Sequence, residues 1–192
     1  GPGDQHGKRP VAMSSAARSS RAETARRSHA RNARSTSASL DRAIEAIRRA
    51  GEKPFFIQIN FVAPHDPLHW PPGRENAIDY RTLPLPANFR AGPAFDTGNV
   101  AGRDERIVPA PRTADEVKQE RAIYFSLVEN VDRQVGRIVQ ALEEGGQLTH
   151  TVIIVTSDHG LALGSHGLMG KQNQYDQLVC ESKYQFQYQR SG

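Results

Sequence analysis

Thr151-Val152-Ile153-Ile154-Val155-Thr156, followed at once by Ser157-Asp158-His159-Gly160, decides how this chain is read. A β-branched apolar run of this length reads as a buried strand, and in open α/β sheets ligands gather at the carboxyl ends of such strands. The run continues into Gly164, His166, Gly167, Gly170 and Lys171, so a glycine-rich loop delivers an acid, imidazoles and a lysine to one sheet edge.

Upstream, Thr113-Ala114-Asp115-Glu116 has the form of a capping box, in which Thr113 and Glu116 satisfy backbone N–H groups at a helix start. Tyr124, Leu127, Val128, Val131, Val135, Ile138, Val139 and Leu142 then repeat at spacings of three and four, which predicts one continuous apolar stripe ending at Gly145-Gly146. At about 1.5 Å per residue this helix is on the order of 45 Å long, enough to cross a sheet face. Before it, nine of the twelve prolines fall between residues 63 and 112. That density forbids long helices and sheet interiors and predicts an irregular surface excursion.

Pro54-Phe55-Phe56-Ile57-Gln58-Ile59-Asn60-Phe61-Val62 reads as a second strand. A short helix precedes it, with Ser39 as its N-cap, Leu40, Ile44 and Ile47 on one face and Gly51 at its end. Strand, excursion, helix and strand make a βαβ crossover, so the strands at 54 and 151 are expected to run parallel in one sheet. That topology puts His65 and Asp158 on the same side. The fold class is therefore α/β.

Composition bounds the rest. A hydrophobic fraction of 37% and a mean hydropathy of −0.62 over 192 residues are low for a chain packed along its whole length. Residues 1–38 carry a surplus of six positive charges, from eight Lys or Arg against Asp4 and Glu23, whereas the remainder carries a surplus of two negative ones. Their Ser, Ala, Arg and Gly content offers almost no large apolar side chain to offset ordering entropy, so they read as a disordered basic tail. A nucleic-acid arm is the sharper reading of the arginines, but no aromatic interleaves them, and nucleic acid is not the expected partner. The lone Cys180 excludes an intramolecular disulfide. No segment approaches the roughly 20 apolar residues of a membrane span, and none has the form of a signal peptide.

Two chemical clusters remain: Pro64-His65-Asp66-Pro67-Leu68-His69, and Asp158-His159 with His166 and Lys171. In this context they resemble the sulfatase family of the alkaline-phosphatase-like superfamily. The resemblance rests on Lys53-Pro54-Phe55-Phe56 leading to Ala63-Pro64-His65-Asp66-Pro67, on Asn130-Val131-Asp132-Arg133-Gln134-Val135-Gly136-Arg137, and above all on Ser157-Asp158-His159-Gly160 with Leu163-Gly164-Ser165-His166-Gly167 and Gly170-Lys171-Gln172-Asn173-Gln174-Tyr175. It covers about residues 40–176, and the ordered set is more specific than any one motif.

The resemblance implies a partial α/β/α sandwich with a mainly parallel sheet. It implies that Asp158 is a metal-binding carboxylate for Ca²⁺ and His159 the adjacent metal-site residue, although imidazole is a less natural calcium ligand. As a turn residue and a hydrogen-bonded histidine, the same pair would need no metal. The resemblance further implies that Lys171 contacts the sulfate and the charge developing on the leaving oxygen, and that His65 hydrogen-bonds the ester and assists proton transfer. Lys171 is otherwise an ordinary surface lysine, and His65 an imidazole closing a turn. His69 and His166 are weaker candidates, as loop or substrate-rim residues, and Trp70 and Tyr80 are possible rim aromatics. Asp132 and Arg137 read as solvated or paired.

Family members build a formylglycine from a Cys/Ser-x-Pro-x-Arg motif that precedes the position of residue 54. Cys180 stands in Val179-Cys180-Glu181-Ser182-Lys183, with neither the proline nor the arginine, and the tail serines also lack the motif. No nucleophile is therefore assigned in this chain, and without one the covalent route has no first step. The expected organisation is a tail at 1–38, a partial sulfatase-like catalytic domain at 39–178 and an irregular tail at 179–192, whose Tyr184, Phe186 and Tyr188 alternate with glutamines as an edge strand would. The functional expectation is a metal-dependent hydrolase of sulfate esters, acting on a sulfated small molecule or polysaccharide and inactive as this chain alone. The residues leave location open, and the resemblance implies a periplasmic or secreted one. The alternatives are phosphodiester or phosphonate hydrolysis on related chemistry, and a non-catalytic remnant whose basic arm binds polyanions.

Overall fold

The computed structural model describes residues 39–96, 98–100 and 102–175, so the tails expected at 1–38 and 179–192, with Cys180, lie outside the described residues. Two α-helices organise what is described: α1, residues 39–50, and α2, Ala114–Glu144.

The capping box forms as its sequence predicts. Thr113 Oγ1 accepts from the Glu116 backbone N–H, and the Glu116 carboxylate accepts from the Thr113 N–H at 2.8 Å and its hydroxyl at 2.7 Å. Those bonds to the charged form hold the Glu116 carboxyl below its ordinary range. Gly145 closes the other end by donating to Ala141 O, and Gly146 follows with φ of 66°.

The single stripe expected along α2 is instead divided between two cores, and Val128 is exposed. At the carboxyl-terminal end, Ile138 and Ala141 meet Leu40 and Ile44 of α1 with Ile59 and Phe61 beside them. Arg137–Asp41 at 2.6 Å and Arg48–Glu144 at 3.2 Å border this contact. At the amino-terminal end, Val117 and Leu127 pack with Leu68, Val108, Leu163 and Met169, all drawn from loops. The division has a physical cause: α2 is far longer than α1, so its two halves face different neighbours. In α1 the predicted face is buried, with Leu40, Ile44 and Ile47 all inside. Ser39, expected as the cap, already has helical conformation, and Gly51 ends the helix at φ of 56°.

The two expected strands depart from prediction. Segments 54–62 and 151–156 show burial alternating with period two, half-buried at 57, 59 and 61 and at 151, 153 and 155. No β-ladder joins them, however, and among the described residues the single bridge is antiparallel, between Phe89 and Ser165. A strand is defined by partners on its edges, and the alternation of side chains persists without them. Between residues 63 and 112 the chain is irregular, as the prolines dictate, with short 3-10 turns at Tyr80–Thr82 and Asp104–Arg106.

Candidate active site

The loop after residue 156 is built by its own backbone. Ala162 N donates to Gly170 O at 3.0 Å, Leu163 N to Met169 O at 3.3 Å and Gly164 N to Leu168 O at 2.7 Å, closing a tight excursion that returns the chain at Lys171. Gly167 has φ of 73°, and a Cβ there would strike the Gly92 backbone, so only glycine fits. A buried pair lies beneath the loop. The Glu105 carboxylate accepts from Met169 N at 2.9 Å, Gly170 N at 3.0 Å and the Arg112 guanidinium at 2.8 Å. Arg112 also donates to the carbonyls of Val108, Glu105 and Gly167. Burial draws its guanidinium below the ordinary range, opposed by the charge of Glu105.

This scaffold delivers Lys171 to His65. The ammonium Nζ lies 2.8 Å from His65 Nε2, across 106 residues of sequence. An ammonium only donates, so Nε2 is the acceptor; Nδ1 then carries the proton, donated to Asp66 O at 2.6 Å. Lys171 is largely buried at 14% exposure, whereas the His65 ring remains accessible at 45%. Beneath them sits Asp66, 7% exposed, with Oδ1 3.2 Å from His65 Nδ1 and 3.7 Å from Lys171 Nζ, and Oδ2 3.5 Å from Arg103 Nη2.

Asp158 and His159 form a separate group. The Asp158 carboxylate is 85% exposed and, among the described residues, pairs locally, accepting from His159 N at 3.0 Å with Oδ2 3.3 Å from His159 Nε2. Ser157 Oγ donates to His159 O. No hydrogen bond or ion pair joins this group to His65 or Lys171 among the described residues. The two side chains offer one carboxylate and one imidazole, whereas Ca²⁺ takes about six to eight oxygens. No cluster of three or more His, Cys, Asp or Glu is arranged for a metal among the described residues. Asp158 and His159 together thus supply one carboxylate and one imidazole, two donors at most toward a metal.

His166 is used by the loop itself. Its ring stacks on Tyr175 with centroids 4.1 Å apart, its Nε2 lies 2.9 Å from Asn88 Nδ2, and its N–H donates to Asn88 O. His69 is half-buried next to the Leu68 core. Asp66, Arg103, Glu105 and Arg112 are absent from the sequence-based candidates. Only Asp66 carried a signal, as the acid inside Pro64-His65-Asp66-Pro67.

The chain is similar to known proteins over most of its length. An arylsulfatase of Clostridium perfringens is 31% identical over 146 residues, covering 76% of this chain and 30% of the relative. Human iduronate 2-sulfatase is 27% identical over 72% of this chain and 28% of its own length. Among solved structures, a phosphonate monoester hydrolase from Silicibacter pomeroyi superposes with a TM-score of 0.58 at 26% identity, over 72% of this chain and 30% of that one. The chain thus spans about 30% of the length of the curated relatives it matches, and its fold belongs to the α/β class of those neighbours. The family model described as Sulfatase matches residues 7–187, well over half of the sequence, and the chain therefore belongs to the sulfatase family.

Proposed function

We propose that the protein is a hydrolase of sulfate esters in which His65 and Lys171 bind the sulfate group. The observation that carries this reading is the Lys171 Nζ–His65 Nε2 pair at 2.8 Å, one cation and one accessible imidazole brought together from motifs 106 residues apart. A tetrahedral anion entering there takes hydrogen bonds from the ammonium and displaces it from Nε2. A fixed ammonium gains most against the charge that develops on the departing oxygen, so it favours the transition state over the bound ester. Once the ammonium has left it for the anion, His65 Nε2 is the ring nitrogen free to hold a proton near that oxygen. Asp158 and His159 would contribute two donors to a divalent metal, which would supply further charge neutralisation when bound. The substrate class is a sulfated small molecule or polysaccharide. Segments 54–62 and 151–156 belong, in this reading, to the mainly parallel sheet of an α/β/α sandwich.

Phosphonate or phosphate ester hydrolysis is the second reading, favoured by the similarity to the phosphonate monoester hydrolase of Silicibacter pomeroyi. Calorimetric titration of this chain with inorganic sulfate and with methylphosphonate separates the two. Sulfate is expected to bind more tightly, and Lys171→Met to weaken it by about tenfold or more, the loss expected for a charged hydrogen-bond donor. Preference for methylphosphonate supports the second reading, and unchanged sulfate affinity in Lys171→Met overturns both. Aryl sulfate turnover by this chain alone is expected to be negligible, because it carries no Cys/Ser-x-Pro-x-Arg motif.

A further inference from the structure

We infer that Asp66 is a positioning residue: its carboxylate fixes the Lys171 ammonium against the His65 ring and ties both to Arg103. The inference rests on the sulfate-binding reading of His65 and Lys171, and it adds to that pair a residue that touches no substrate. Asp66 is 93% buried, being 7% exposed, and a buried carboxylate requires partners. Its partners are three nitrogens: Lys171 Nζ at 3.7 Å and His65 Nδ1 at 3.2 Å from Oδ1, and Arg103 Nη2 at 3.5 Å from Oδ2. Oδ1 accepts no hydrogen bond, so what it offers the Lys171 ammonium at 3.7 Å is an ion pair. The following residue, Pro67, has no N–H to offer.

The placement answers a problem set by the lysine. Its four-carbon stem has many rotamers, and an ammonium that wanders must be ordered again each time an anion binds. Asp66 removes that freedom beforehand, on the side of Lys171 that faces the His65 loop. Arg103 is held in turn, 2.7 Å from the buried Asp104 and within reach of Asp66, so the 63–112 excursion and the Lys171 loop are joined at one carboxylate.

A carboxylate at this place has two opposed effects on an incoming anion, and the balance is measurable. As a mere counter-charge it weakens the local positive field, and its removal would tighten sulfate binding. As a positioning group it preorganises Lys171, and its removal loosens binding. Nuclear magnetic resonance of the ¹⁵N-labelled 192-residue chain reads the two apart. In the unligated wild type, Lys171 Nζ is expected to give a protected ammonium signal coupled to His65; an unprotected one overturns the inference without any variant. In Asp66→Asn the ammonium protons are expected to exchange about tenfold faster, and inorganic sulfate to bind about fivefold more weakly. Unchanged exchange or tighter sulfate binding overturns the inference. If wild type binds no sulfate while Asp66→Asn still releases Lys171, the sulfate reading falls and the positioning role stands. Should Asp66→Asn fail to fold by circular dichroism, Arg103→Gln, on an exposed side chain, is expected to speed Lys171 exchange by about twofold through the loosened carboxylate, and no change overturns the tie.

Discussion

Arg112 illustrates what single residues do here and what their sequence conceals. It stands one place before the capping box and reads as the end of a proline-rich loop, yet it is 3% exposed and bonded to three carbonyls and one carboxylate. His65 and Lys171 were legible as candidates because each stands in a motif that resembles the sulfatase family's. Glu105 and Arg112 were not, since a buried pair is defined by contacts between loops, and no period or spacing announces it. Truncating one partner of such a pair leaves the other charge buried, which costs about 3–5 kcal/mol. Arg112→Met is therefore expected to lower unfolding free energy by roughly 3 kcal/mol in urea, followed by circular dichroism. A loss below about 1 kcal/mol would show that the two amides at residues 169 and 170 suffice for Glu105.

At the level of elements, local rules were the legible ones. The start of α2 follows from a hydroxyl and a carboxylate three residues apart, and its end from paired glycines; neither depends on the rest of the molecule. Segments 54–62 and 151–156 show the other case. Their alternation is local and is present, while pairing requires neighbours the pattern does not specify. Within α2, Glu120 gives a pH test. Burial pushes its carboxyl up to about 7. The folded chain therefore holds a proton there that the unfolded chain has already lost above its ordinary range near about 4.3. Stability is expected to fall as pH rises from about 4.5 to about 7 and to level off above it, by on the order of 2–3 kcal/mol. Glu120→Gln should flatten that slope in thermal melts at pH 5 and pH 8, and a slope that survives the substitution assigns it to other groups.

Across the whole molecule, one asymmetry follows from the helices. Ile59 and Phe61 pack toward α1 and α2, while Phe56, Val62, Val152 and Ile154 on the opposite faces of their segments are 90%, 56%, 73% and 64% exposed. Sheets of the α/β class are covered on both faces, so β-branched and aromatic side chains on each side of a strand are the normal composition of such a layer. Here the described residues cover one face only. Large apolar side chains left in water cost about 25 cal/mol per Å² of apolar surface, and exposed groups of them promote association. The chain is therefore expected to bind anilinonaphthalene sulfonate in its native state and to self-associate as its concentration rises in sedimentation velocity. Phe56→Ser with Val152→Thr should reduce both effects without lowering the melting temperature, because neither side chain joins a core among the described residues. If dye binding persists while the melting temperature drops, these residues pack inside the molecule, and the uncovered face is not a property of the chain in solution.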